Sequence, residues 1–150
     1  VRRQRQMCIR DSMDWARWNQ NAHPELELLH HCPNGGSRNK AEAVKLKQMG
    51  VKAGIPDLCL PVPMGMYNGL YIEMKYDTGR LEDSQKKMLK ALAAAGHYCT
   101  VCYGAEEAIR VLQEYINLKK IDTGNREDAM SEQNLMIRKN GKVKCIIFKE

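Results

Sequence analysis

Residues 54–75 constrain the fold more than any other part of this chain. They read Gly54-Ile55-Pro56-Asp57, then the apolar Leu58-Cys59-Leu60, a gap punctuated by Pro61, Pro63 and Gly65, and Gly69-Leu70-Tyr71-Ile72-Glu73-Met74-Lys75. Each apolar run is too short for a helix and is bounded by turn formers, which is the pattern of a strand. We read strands over 57–62 and 70–76. A parallel crossover needs about a dozen residues or more, and the connection is shorter than that, so the pair is antiparallel.

Side chains alternate across a strand, so Tyr71, Glu73 and Lys75 share one face while Leu70, Ile72 and Met74 take the other. Glu73 and Lys75 then stand about 6.8 Å apart along the backbone. On the facing strand Asp57 and Cys59 share a face, and pairing brings Asp57 beside Glu73. Two adjacent carboxylates repel and resist ionising together unless a cation stands between them. Mg²⁺ or Mn²⁺, hard ions that take oxygen ligands, suit that place. Lys75 can hold an attacking water or a phosphate oxygen beside such an ion. The chain is therefore a candidate metal-dependent nuclease.

Gln85 lies on one helical stripe with Met88, Leu89 and Leu92. That stripe faces inward, so the amide belongs over the sheet near the acids, where it can bond water or a phosphate. The competing reading is an amide at a wet helix end. His30, His31 and His97 have no metal-ligand spacing relative to the acids and read as packing or surface residues.

The rest of the chain alternates helix and strand. A helix starts near Asp14, with Trp15 and Trp18 on one face, and a strand covers 25–32. The loop Pro33-Asn34-Gly35-Gly36-Ser37-Arg38 leads to a helix over 39–49, with Ala41, Val44 and Met49 as its apolar positions and Gly50 as its stop. A helix over 83–95, a strand over 97–103 and a helix over 105–118 follow. The last carries the stripe Ala105, Ala108, Ile109, Leu112 and Ile116. This order predicts an α/β domain on a mixed sheet, occupying 13–121.

Two segments read differently. Residues 1–12 show no helical or strand period and resemble a peptide translated from sequencing-adapter DNA, so we expect them to be disordered. Residues 122–150 read as a polar linker followed by a small hairpin about Asn140-Gly141.

The length of 150 residues fits one domain, and 43% hydrophobic with 28% charged residues describes a globular chain. No apolar window approaches membrane-span length and no signal-peptide h-region is present, which makes a cytoplasmic protein the default. The net charge of +6 favours an anionic partner such as nucleic acid, although Arg2, Arg3, Arg5 and Arg10 less Asp11 supply half of it. Arg38, Lys40, Lys45, Lys47, Lys52, Arg80, Lys86 and Lys87 are the candidate phosphate contacts. Among six cysteines only Cys99 and Cys102 form a CxxC pair, and they fall in a strand pattern rather than at a helix start where a thiolate is favoured.

Gly54-Ile55-Pro56-Asp57, Gly69 to Lys75 and Gln85 resemble the virus-type replication-repair nuclease (VRR-NUC) domain of the PD-(D/E)XK superfamily. The likeness takes in Pro33-Asn34-Gly35-Gly36 with Arg38, and Gly50-Val51-Lys52-Ala53. It covers roughly 15–116 and looks like the compact stand-alone form found in phages. The resemblance implies a restriction-endonuclease-like core and a homodimeric, Mg²⁺- or Mn²⁺-dependent endonuclease. It further implies branched DNA such as Holliday junctions as substrate, a role in DNA repair, and a bacterial host or phage-infected cell as the setting. It makes Asp57, Glu73 and the Met74 carbonyl metal ligands, Lys75 catalytic and Gln85 its assistant. The family also usually carries an acid in its first helix, whereas this chain has no Glu between Arg3 and Ser12. That departure keeps a DNA-binding module of the same fold in view. A thiol oxidoreductase using Cys99 and Cys102 is the other alternative.

Overall fold

The computed structural model describes residues 2–33, 39–118 and 134–147. One six-stranded sheet organises them, in the order β1 (His30–His31), β2 (Leu58–Leu60), β3 (Leu70–Lys75), β4 (Tyr98–Tyr103), β5 (Asn134–Lys139) and β6 (Lys142–Ile147). β1, β2 and β3 pair antiparallel, β3–β4 and β4–β5 pair parallel, and β5–β6 is an antiparallel hairpin. The helices are α1 (Arg2–Asn19), α2 (Lys40–Gln48), α3 (Asp83–Ala94) and α4 (Ala105–Ile116). This is the α/β mixed sheet that the residue pattern predicts.

The two faces of the sheet are covered unequally. On one, Leu58, Leu60, Leu70, Ile72 and Met74 pack against Cys8, Ile9 and Ala16 of α1 and Ala108, Val111, Leu112 and Tyr115 of α4. Full burial of each large apolar side chain is worth about 1.5–3 kcal/mol, so this face supplies most of the driving force. The other face is smaller: Leu89 and Leu92 of α3 cover Cys99, Val101 and Leu135, with Tyr71 beside them. The polar ends of β2 and β3 emerge on this thinner side.

Four expectations need correction. Residues 1–12 are not a disordered segment, because Arg2–Asn19 is one helix that buries Cys8, Ile9, Ser12 and Ala16. That spacing is helical, but apart from Ile9 its stripe is made of small residues, with Ser12 Oγ donating 2.8 Å to the Cys8 carbonyl, and so the apolar signal is weak. The strand over 25–32 shrinks to His30–His31, since Pro24–Leu28 forms a 3₁₀ turn. α2 forms as predicted, with Asn39 Oδ1 capping the Ala41 amide, yet it buries no residue, and Val44 and Met49 are exposed. Finally, the C-terminal hairpin is no appendage to a domain ending at 121. β5 adds directly to β4, where Thr100 Oγ1 donates 2.9 Å to the Met136 carbonyl. Its turn is the expected one, with φ of 52° at Asn140 and 71° at Gly141.

Candidate active site

The antiparallel register sets Leu58 opposite Ile72, so Asp57, one residue before β2, stands opposite Glu73. Both carboxylates are buried, at 1% and 0% exposure, and Lys75 and Gln85 join them at 8% and 6%. Four polar side chains are thus collected at one end of the sheet, under the start of α3.

Gly54 makes that convergence possible. Its φ of +83° suits glycine, and a Cβ there would sit 2.3 Å from the Ser84 carbonyl oxygen. The loop ahead of β2 therefore lies flush against the first turn of α3, which brings Asp57 and Gln85 into one cluster.

Gln85 ties the cluster together. Its Oε1 accepts from Lys75 Nζ at 2.9 Å and from the Glu82 amide at 2.9 Å, while its Nε2 donates to Glu73 Oε1 at 3.0 Å. The amide is therefore no wet helix end. Asp57 Oδ2 accepts 2.8 Å from the Met74 amide, which sets the Met74 peptide against the acids while its side chain lies in the opposite core.

Charge in the cluster is only loosely matched. Lys75 Nζ stands 3.8 Å from Glu73 Oε1. From α1, the Arg5 guanidinium reaches Asp57 Oδ1 at 3.5 Å and Glu73 Oε1 at 3.7 Å. Glu73 Oε2 is buried with no hydrogen-bond partner among the described residues. Burial and the Asp57 carboxylate push the Glu73 carboxyl up to about 8, against the opposing pull of Lys75 and Arg5.

A hard divalent cation fits this donor set. An orphaned carboxylate oxygen and a carboxyl that resists ionising both mark a place short of positive charge. Among the described residues no three or more His, Cys, Asp or Glu side chains gather to hold a metal. An ion here would therefore take two carboxylates and complete its shell with backbone oxygen and water, as Mg²⁺ commonly does. Arg5 is the competing cation, since it already touches both acids.

A cleft of about 600 Å³ lies outside the cluster, lined by Arg5, Leu46, Lys47, Val51, Lys52 and Gln85 among others. Of the basic residues expected to meet phosphate, Lys52 and Lys47 line it. Lys40 and Lys45 are exposed on α2, Arg80 precedes α3, and Lys86 and Lys87 are exposed on α3. Arg38 lies outside the described residues. Arg5 is the site residue that pattern reading missed, and the small-residue stripe Cys8, Ser12 and Ala16 was the signal that could have placed it.

The thiol alternative does not survive. Cys99 packs toward α3 and Cys102 toward α4, on opposite faces of β4, and burial pushes each thiol up to about 12. His31 Nδ1 donates 2.7 Å to the Asp57 carbonyl, and His97 stacks edge-on against Tyr71, which are packing roles.

Residues 2–106 match the family model described as the VRR-NUC domain. A solved structure called VRR_NUC domain protein is 34% identical, with a TM-score of 0.68 over 79% of this chain and 93% of that chain. No curated protein matches. The family match takes in α1 and all four clustered residues, and it ends before β5 and β6. Among the described residues no helix is long and apolar enough to cross a membrane.

Proposed function

The chain belongs to the VRR-NUC domain family, a nuclease-type family that acts on DNA, and from that premise we propose that it is a metal-dependent, structure-specific endonuclease. The observation that carries the reading is Gln85 bridging Glu73 and Lys75, with Asp57 opposite, beneath a basic cleft. Asp57, Glu73 and the Met74 carbonyl would hold Mg²⁺ or Mn²⁺. When bound, such an ion polarises the phosphodiester and makes water a stronger nucleophile at neutral pH.

The remaining steps fall to the chain itself. Lys75, held by Gln85, presents its ammonium to the attacking water or to the scissile phosphate oxygen. Gln85 fixes that lysine, so the ammonium is oriented before substrate arrives and little is lost to reorganisation. Burial of both acids keeps bulk water away from them. In-line attack leaves a 5′-phosphate on the cut strand. A homodimer would present two such sites to the two strands of a junction, which suits branched DNA as substrate.

The test is a labelled four-way junction incubated with Mn²⁺, with Glu73→Ala and Lys75→Ala alongside. The parent should cut and both variants should not; cleavage that persists in both would defeat the assignment. A second reading, a DNA-binding module of the same fold, draws on Arg5, whose guanidinium contacts both acids. On that reading the parent binds the junction without cutting it, and Arg5→Ala restores cleavage.

A further inference from the structure

The cleft beside the acids has a composition that narrows what can enter it. Its outer wall is α2 and the turn after it, where Lys47 and Lys52 flank the apolar Leu46 and Val51. Its inner wall is Glu82, Ser84 and Gln85 at the start of α3 with Arg5 of α1, so three cations face it against one acid. α2 buries none of its residues, and Lys40, Lys45 and Lys47 outnumber its one acid, Glu42. A short helix with no buried face, carrying cations over a cleft, is placed to meet an anionic polymer rather than to fill a core.

The cleft is also sized for a nucleotide rather than for a duplex. A volume of about 600 Å³ falls in the range that encloses a small organic ligand, the scale of one or two nucleotides. The acids lie behind Gln85 and Arg5 of its wall, at 0–1% exposure. A duplex keeps its bases stacked inside and offers only a convex phosphate surface. A base can lie against Leu46 and Val51 only after leaving the stack. Cations along a groove, with an apolar surface for the base, are what single-stranded segments require.

We propose that the cleft between α2 and α3 takes an unpaired strand of nucleic acid. Lys47 and Lys52 hold its phosphates, and Leu46 and Val51 contact a base next to the scissile bond. This rests on the nuclease reading for its chemistry, and it names the part of a branched substrate that enters the site. Among the described residues the wall carries no aromatic side chain, so a base is held by apolar contact with Leu46 and Val51 rather than by stacking.

Fluorescence anisotropy of the full chain tests this directly, with a labelled single-stranded oligonucleotide and the duplex of the same sequence, without added metal. The single strand should bind at least tenfold more tightly than the duplex. Lys47→Glu with Lys52→Glu should weaken the single strand about 100-fold, with duplex affinity changed less than threefold. With Lys47→Gln and Lys52→Gln, a milder pair at exposed positions, the slope of log affinity against log salt should be shallower by about 1.4, the value for two lost phosphate contacts. Lys142→Glu with Lys144→Glu, exposed on β6 and away from the cleft, should leave single-strand affinity unchanged. Equal or tighter duplex binding by the parent would overturn the proposal, as would equal losses for both substrates in the Lys47 and Lys52 variants. Adding Mn²⁺ separates the two readings. Glu73-dependent cutting that ignores Lys47 and Lys52 sinks the cleft assignment and leaves the nuclease. Cleft-dependent binding with no cutting of any substrate sinks the nuclease and leaves the cleft.

Discussion

Two charged clusters, each with at least one buried member, sit on the same sheet and are built in opposite ways. At the β5 side, Arg138 is 6% exposed, and its guanidinium donates to Glu114 at 2.5 and 3.2 Å and to the Tyr98 hydroxyl at 3.2 Å. One cation meets one anion at close range, and Glu114 itself is 59% exposed and stays hydrated. At the β2–β3 end, two carboxylates face each other with Lys75 and Arg5 at 3.5–3.8 Å and one oxygen without a partner. Formal charge balances in both places. The difference is closeness: Arg138 meets Glu114 at hydrogen-bond range, with its Nε unpartnered among the described residues, whereas Lys75 and Arg5 stand off from the acids and leave a carboxylate oxygen unmatched. A close ion pair ties α4 to β5, and a loosely matched pair of acids is what a ligand can complete.

The comparison can be broken by mutation, starting with the largest effect. Glu73→Ala or Lys75→Ala should lower Mn²⁺-dependent cleavage about a thousandfold or more, the scale of losing a group that acts only in the transition state. Arg138→Met should leave the rate within a few-fold, and similar losses from all three would erase the distinction. Stability of the metal-free protein should next show a pH slope. Folded Glu73 keeps its proton to about pH 8, whereas the unfolded chain releases it near the ordinary value of 4.5. Between those values the folded state binds more protons, so stability falls as pH rises, by up to about 5 kcal/mol. Denaturant titrations in chelator should show this slope in the parent and lose it in Glu73→Gln.

Gly54→Ala should destabilise by about 3 kcal/mol, combining left-handed backbone strain with the clash at Ser84. It should also loosen Gln85, so that cleavage falls more than the folded fraction does. A melting temperature within a degree of the parent would show that the loop does not lie flush on α3. The smallest effect belongs to Glu114→Gln, about 1 kcal/mol or less, because its carboxylate is mostly solvated.

Some of this arrangement was written in local pattern. Period-two alternation in Leu70 to Lys75 put Glu73 and Lys75 on one face, and the short connection made β2 and β3 antiparallel, so Asp57 opposite Glu73 followed. The stripe through Met88, Leu89 and Leu92 brought Gln85 over the sheet. Arg5 was hidden because α1 buries small residues, and Ser12 and Ala16 contribute little to an apolar period. Val44 and Met49 marked a helix in α2 correctly, yet a pattern reports what a helix can bury and not whether a partner lies opposite. The β4–β5 pairing was equally out of reach, since it joins segments far apart in sequence and local propensity carries no information about register between them.

The claim that Asp57 and Glu73 form a divalent cation site is tested most directly by thermal melting at pH 8 with increasing Mn²⁺. The parent should gain about 2.7 kcal/mol when Mn²⁺ exceeds its dissociation constant about 100-fold, a rise of several degrees. Asp57→Asn and Glu73→Gln should show no such rise. No shift in the parent, or equal shifts in all three proteins, would contradict the assignment.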